Sequence, residues 1–281
     1  MDKQESNKMD IVEILDGMDR RYIFLVLIIL SFLPVLMPLG LPVPVESATT
    51  GSFNAMESLQ EGDIICITFD YAGGSAAELY PQNLVLMKHA LRKNLRLVTV
   101  SFSIGGPEMA EMCFREAGWT DSKEYGVDYV NLGFAAGFET AMSAFATDPH
   151  SIFTTDQYGT PLTNIPLMNE VNGIDDLKYI AFTTSTSQDH YIRQFTGHDT
   201  VVVGCIQSLY FSVMKVYMTT GQIPGFINGL RGSAEYELLT GFLGIGVLTM
   251  DQASLTHLYA IVLLIIGNIG FFLKRSREKG R

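Results

Sequence analysis

The chain has 281 residues, 47% of them apolar and 17% charged, with 30 acids against 19 bases and a formal net charge of −11. A chain of that length can bury a full core, and a balance this acidic lacks the basic footprint that nucleic-acid binding needs. Three cysteines without a C-x-x-C pair exclude a full disulfide framework and suggest neither a zinc site nor a thioredoxin-like one.

After a tail of residues 1–21, residues 22–41 hold 20 positions without a charge, the length a transmembrane helix requires. A cleaved signal peptide is the alternative, because Val45 and Ser47 before Ala48 are small. The run is longer than a signal h-region, however, and no A-x-A follows it. Pro34 and Pro38 predict a kink or an end near Met37, followed by an extended exit. Residues 42–62 read as a linker, polar from residue 46 onward.

From 63 to 240 short apolar runs alternate with helical patterns. Strands are predicted at 64–69, 95–102, 129–132, 179–183 and 200–203 running into Cys205. Helices are predicted at 81–93, from 105 to 117, and at 137–145, 188–195, 207–219 and 232–239. Residues 147–172, with Pro149, Pro161 and Pro166, form a long connection of the kind that serves as a lid or partner surface, or packs as a loop without a role. Strands apolar throughout and separated by helices imply an α/β fold, doubly wound, with a mostly parallel five-stranded sheet of Rossmann- or flavodoxin-like type. Cys66 and Cys205 fall in strands, where a buried thiol is the usual state and a bridge between neighbouring strands is the alternative.

Residues 241–254 begin with a short apolar stretch expected at the membrane surface, with packing under the domain or extension of the second run as the alternatives. Residues 255–273 form a second uncharged run and 274–281 a basic tail. Arg20 and Arg21 precede the first run, and Lys274, Arg275, Arg277, Lys279 and Arg281 follow the second. By the positive-inside rule both termini are cytoplasmic and the domain is extracytoplasmic, in a two-pass protein of the cell membrane. The 23 acids and 10 bases between the tails suit a soluble domain rather than one lying flat on anionic lipid.

Ligands of open parallel sheets bind beyond the carboxyl ends of the strands. There, Asp70, Gly73, Gly74 and Ser75 place an acid before a glycine pair and a helix start, an arrangement that cradles an anion or forms an ordinary tight turn. Ser103 and Ser187 stand at two further strand ends. Arg231, Gly232 and Ser233 set a guanidinium beside a helix start, where it suits a phosphate or carboxylate or pairs with a surface acid. The fingerprints G-x-G-x-x-G, G-x-x-x-x-G-K-[ST] and G-x-S-x-G are absent, and the histidines lack H-x-x-x-H spacing. No metal site, cofactor or catalytic residue is therefore assigned. His89 is expected to be solvated or half-buried, and Ser187, Asp189 and His190 make a weak triad.

The segments MDRRYIFLVLIILSFLPVLMPLGLP, EYGVDYVNLGF, TDQYGTPL and NGLRGSAEYE are similar to segments of an uncharacterised prokaryotic family of two-span membrane-anchored proteins with a Rossmann-like ectodomain. The resemblance covers most of the chain; it implies the architecture and carries over no reaction. The expected function is a membrane-anchored binding or assembly component, in contact with the bilayer and with a protein partner or a second copy. The alternative is an enzyme acting on a nucleotide-, sugar- or lipid-linked substrate at the carboxyl ends of the sheet.

Overall fold

The structure, a computed structural model, describes residues 19–37 and 39–279. Pro38 and nearly all of the N-terminal tail lie outside the described residues. Two units are present, one of residues 42–247 and one built from the segments up to 41 and from 248 onward.

In the larger unit, β1 (Ile64–Thr68), β2 (Arg96–Ser101), β3 (Tyr129–Phe134), β4 (Tyr179–Thr184), β5 (Val201–Ile206) and β6 (Phe226–Asn228) form a six-stranded sheet in the order β3-β2-β1-β4-β5-β6. Every pairing is parallel. The sheet thus has six strands rather than the expected five. β6 escaped the sequence pattern because it has three residues and follows Pro224.

Successive strand residues alternate between two cores, as the pleat requires. Ile64, Cys66, Ile180, Phe182 and Val202 join one, and Ile65, Ile67, Tyr179, Ala181 and Val203 the other. Cys66 and Cys205 fall in different cores, and all three cysteines are free and buried, so the alternative of a bridge is excluded. Over one face lie α2 (Ser47–Glu57), α3 (Gly73–Arg92), α4 (Gly106–Ala117) and α9 (Gly229–Thr240), with the short α5 (Trp119–Ser122) beside α4. Over the other lie α6 (Glu139–Thr147), α7 (Asp189–Phe195) and α8 (Phe211–Thr219). The long connection packs with these through buried Phe153, Leu162, Leu167, Met168 and Val171, its backbone turning in short 3-10 segments. These buried residues are part of the core, while Tyr158 at its tip is exposed.

Residues 47–57, expected as linker, are helical. α2 shows little apolar periodicity, and Glu46 at its N-cap makes no side-chain cap. Instead Glu235 of α9, 1% exposed, accepts from Glu46 N–H at 3.1 Å, Thr49 Oγ1 at 2.6 Å and Arg231 Nε at 2.9 Å. The helix then rests on the sheet edge through two glycines. A Cβ on Gly51 would stand 2.1 Å from Pro224 O, and one on Gly225 would stand 2.2 Å from Ala48 O.

In the smaller unit α1 (Arg20–Leu36) ends at Leu36, with Pro34 in its last turn and Met37 extended at φ −147°. Pro34 has no N–H to donate back to Leu30, which weakens the last turn, and the helix ends next to Met37 as expected. It therefore has 17 residues, about 26 Å, short of the ~30 Å hydrocarbon core. The expected span over 22–41 is corrected to this shorter helix. α10 (Ile245–Lys279) is continuous, so residues 245–254 form its first turns. Among the described residues one helix, Ile245–Phe272 within α10, is long and apolar enough to cross a membrane.

α1 and α10 meet in reverse chain order, as antiparallel helices do. Tyr259 donates to Ile23 O at 3.0 Å, and Asp251 accepts the N–H groups of Leu39, Gly40 and Leu41, each at 2.9 Å.

Glu235→Ala removes the acceptor shared by Glu46, Thr49 and Arg231 and is expected to cost about 2–3 kcal/mol in urea unfolding of the full chain. Gly51→Ala is expected to cost about 1–3 kcal/mol through backbone overlap. Wild-type midpoints for both would contradict the packing of α2.

Candidate functional site

Strand order reverses between β1 and β4, the switch point at which open parallel sheets form their ligand crevice. Asp70 lies there, bridged to Thr184 in parallel register. It is 4% exposed. Its Oδ2 accepts from Tyr191 O–H at 2.7 Å, while Oδ1 accepts the N–H of Phe102 and lies 3.3 Å from Ser101 Oγ. Burial pushes the Asp70 carboxyl up to about 6, against the pull of hydrogen bonds led by Tyr191. The carboxyl group therefore ties the end of β1 to the β2–α4 loop and to α7.

Around it the expected residues divide. Gly73, Gly74 and Ser75 open α3 immediately after Asp70, and Ala72 supplies no side-chain cap. Neither glycine has a positive φ and a Cβ on either would meet nothing, so no turn requirement explains the pair. Ser103 donates its N–H to Ser101 Oγ at 3.0 Å, and Ser187 is half-buried in the β4–α7 loop. These six residues follow the carboxyl ends of β1, β2 and β4, three neighbouring strands.

Arg231, Gly232 and Ser233 do not join them. They follow β6, three strand spacings or ~14 Å across the sheet from β1. Arg231 is paired with Glu235 at 2.9 Å and Glu46 at 3.2 Å. Gly232 packs on Ile227, and Ser233 is fully buried. One small ligand cannot touch both Asp70 and Arg231.

The weak triad is also undone. His190 Nδ1 pairs with Glu139 Oε2 at 2.5 Å, and Asp189 instead accepts from Tyr217 O–H at 2.5 Å. Glu139 also accepts from Arg193 Nε at 3.0 Å and Gln194 Nε2 at 3.2 Å. Hydrogen bonds from Arg193 and Gln194, with His190 adding to them, bring its carboxyl down to about 2. The preceding residue, Phe138, is held at φ 48°, a conformation costly for a side chain with a Cβ, and its ring meets that of His190 edge-on at 4.9 Å. Sequence reading missed this cluster because β3–α6 and α7 supply its parts about 50 residues apart.

Other groups with nucleophilic or basic chemistry are shut away. Burial pushes the Cys66 and Cys113 thiols well up and that of Cys205 up to about 12. His89 is fully buried, not half-solvated, with Nε2 at 2.9 Å from Glu57 Oε1, Nδ1 at 2.9 Å from Tyr236 Oη, and Phe53 stacked on its ring. Burial brings it down to about 4. Among the described residues no group of three or more His, Cys, Asp or Glu side chains stands where it could hold a metal ion.

No protein-family model, curated protein or solved structure matches this chain, so what the crevice does is read from its own geometry.

Two buried groups give opposite pH dependences. The His89 value lies below the ordinary 6.5, so the unfolded chain takes the proton more readily and stability falls as pH drops from about 6.5 towards 4. The Asp70 value lies above the ordinary 3.8, so its contribution is present below 3.8 and is lost as pH rises through about 6. The two partly cancel between pH 4 and 6. In urea titrations from pH 4 to 7, Asp70→Asn should lose stability on acidification more steeply than wild type, and His89→Gln less steeply. Parallel curves for all three proteins would contradict these assignments.

Proposed function

We propose that this protein is a two-pass membrane protein whose α/β unit is held extracytoplasmically as a binding or assembly component. The observation that carries the reading is the clasp at Asp251. It holds residues 39–41 beside α10, so the chain leaves and re-enters the smaller unit at adjacent points. That is the arrangement of a helical hairpin with both termini on one side, and the basic flanks make that side cytoplasmic. α1 is short for a span, and the extended residues after it, local thinning of the bilayer or its packing on α10 would make up the difference.

A binding role is favoured over catalysis because Asp70 is saturated by Tyr191, Phe102 and Ser101 and the thiols are buried. The partner is a protein or a second copy of the chain, and the acidic balance argues against nucleic acid. The second reading, an enzyme acting on a nucleotide-, sugar- or lipid-linked substrate at the carboxyl ends of the sheet, is favoured by one observation only. The strained Phe138 and the Glu139–His190 pair border that edge.

Since the native cysteines are buried, single cysteines report topology cleanly. A membrane-impermeant maleimide on intact cells should label Thr186→Cys in the α/β unit and spare Arg275→Cys in the tail. The reverse pattern, or labelling of neither until lysis, would contradict the topology. Crosslinking of the labelled unit in membranes should return a repeatable neighbour or a dimer, and a clean monomer would argue for the enzymatic reading.

A further inference from the structure

A cavity of about 400 Å³ lies in the larger unit, lined by Lys88, Leu91, Arg92, Ala117, Phe242 and Leu243. Lys88, Leu91 and Arg92 share one face of the last turns of α3, spaced three and four residues apart. Ala117 ends α4, and Phe242 and Leu243 belong to the connection between α9 and α10. The cavity thus combines two cations with four apolar side chains, in a chain whose net charge is −11.

Its two cations are held differently. Arg92 is fixed: Nη1 donates to Thr240 O at 2.9 Å, Nη2 to Glu57 Oε1 at 2.9 Å, and the guanidinium stands 5.2 Å from the centre of the Phe242 ring. Lys88 forms no hydrogen bond or ion pair among the described residues. Glu237, a buried acid that feels the Lys88 charge, is already occupied by the N–H groups of Gly244, Gly246 and Val247 at 2.8–3.0 Å. An ammonium with no direct hydrogen bond or ion pair, beside apolar side chains, is matched by an anion that carries its own apolar chain.

The chain supplies the level at which that anion would be met. Leu243, 55% exposed, lies two residues before the start of α10. The apolar stretch of α10, Ile245–Phe272, has 28 residues and is about 42 Å long. A hydrocarbon core is ~30 Å thick and a bilayer with its headgroups ~40–45 Å. Ile245 therefore falls at the headgroup boundary, and Phe242 and Leu243 immediately next to it.

We propose that this cavity binds one anionic phospholipid, with its phosphate on Lys88 and Arg92 and its first acyl carbons against Leu91, Ala117, Phe242 and Leu243. The inference rests on the membrane-anchored reading above. It adds to that reading a lipid selected by charge at the base of the anchor. Lys88 supplies the selectivity, because Arg92 already shares its charge with Glu57.

The test uses the full chain. Flotation with phosphatidylcholine vesicles comes first; failure to float would overturn anchoring and this site together. The protein is then reconstituted in mixed phosphatidylcholine and phosphatidylglycerol and examined by native mass spectrometry. Wild type should retain phosphatidylglycerol in preference to phosphatidylcholine. Lys88→Gln should retain about fivefold less, the equivalent of ~1 kcal/mol for one lysine at a lipid surface. Leu243→Ser, at an exposed position with little effect on folding, should lower retention of both lipids. Equal retention of the two lipids by wild type, or unchanged retention by Lys88→Gln, would overturn the site while leaving the anchor standing. If inorganic phosphate alone raises the melting temperature of wild type as much as phosphatidylglycerol does, and Lys88→Gln abolishes both effects, the site is one for a free anion and the lipid assignment is overturned.

Discussion

Buried carboxyl groups that accept backbone N–H groups are the interaction on which the rest of this structure depends. Glu235 receives Glu46 where the chain enters α2, Glu237 receives Gly244, Gly246 and Val247 where α10 begins, and Asp251 receives Leu39, Gly40 and Leu41. All three acids are at most 3% exposed. An unpaired carboxylate at such depth costs several kcal/mol, and so does an unpaired amide; joining them removes both penalties. Helix starts and extended exits leave N–H groups without intrahelical partners. In this chain buried acids satisfy them, Glu235 and Asp251 from remote segments and Glu237 from within 7 to 10 residues. α9 is central to this because Glu235 and Glu237 alternate with Tyr236, which faces His89, so one helix holds the entry, the exit and a buried aromatic network.

The same device recurs at the sheet's switch point. Asp70 joins β1 to the β2–α4 loop and to α7, giving the crevice a rigid rim and leaving no free carboxylate there. The polar groups that stay accessible lie at its borders, in the β1–α3 loop with its two glycines and in the Glu139, His190 and Arg193 cluster. Rigid rims with adaptable borders suit recognition, which is why the binding reading takes precedence.

Local pattern made much of the architecture readable. Parallel strands covered on both faces are apolar throughout, so five of the six stand out as short β-branched runs between glycines. β6 has too few residues to form such a run. α2 has too little apolar periodicity to announce itself, and what holds it is an acid 189 residues away. Asp70 was legible as an acid at a strand end, but Tyr191, 121 residues later, was not legible as its partner. Arg231 was legible as a guanidinium at a helix start. Its engagement by Glu46 and Glu235 depends on how the entering segment crosses α9, which no spacing in the sequence encodes.

The central claim is that buried acids, Asp251 on residues 39–41 and Glu237 on residues 244–247, hold these two segments by their backbone amides. Amide hydrogen exchange on the full chain in lipid nanodiscs tests it most directly. Leu39, Gly40, Leu41, Gly244, Gly246 and Val247 should exchange at least about 100-fold more slowly than an unstructured chain, an opening free energy near 3 kcal/mol. Exchange of these amides at unstructured rates, while the strands remain protected, would contradict it.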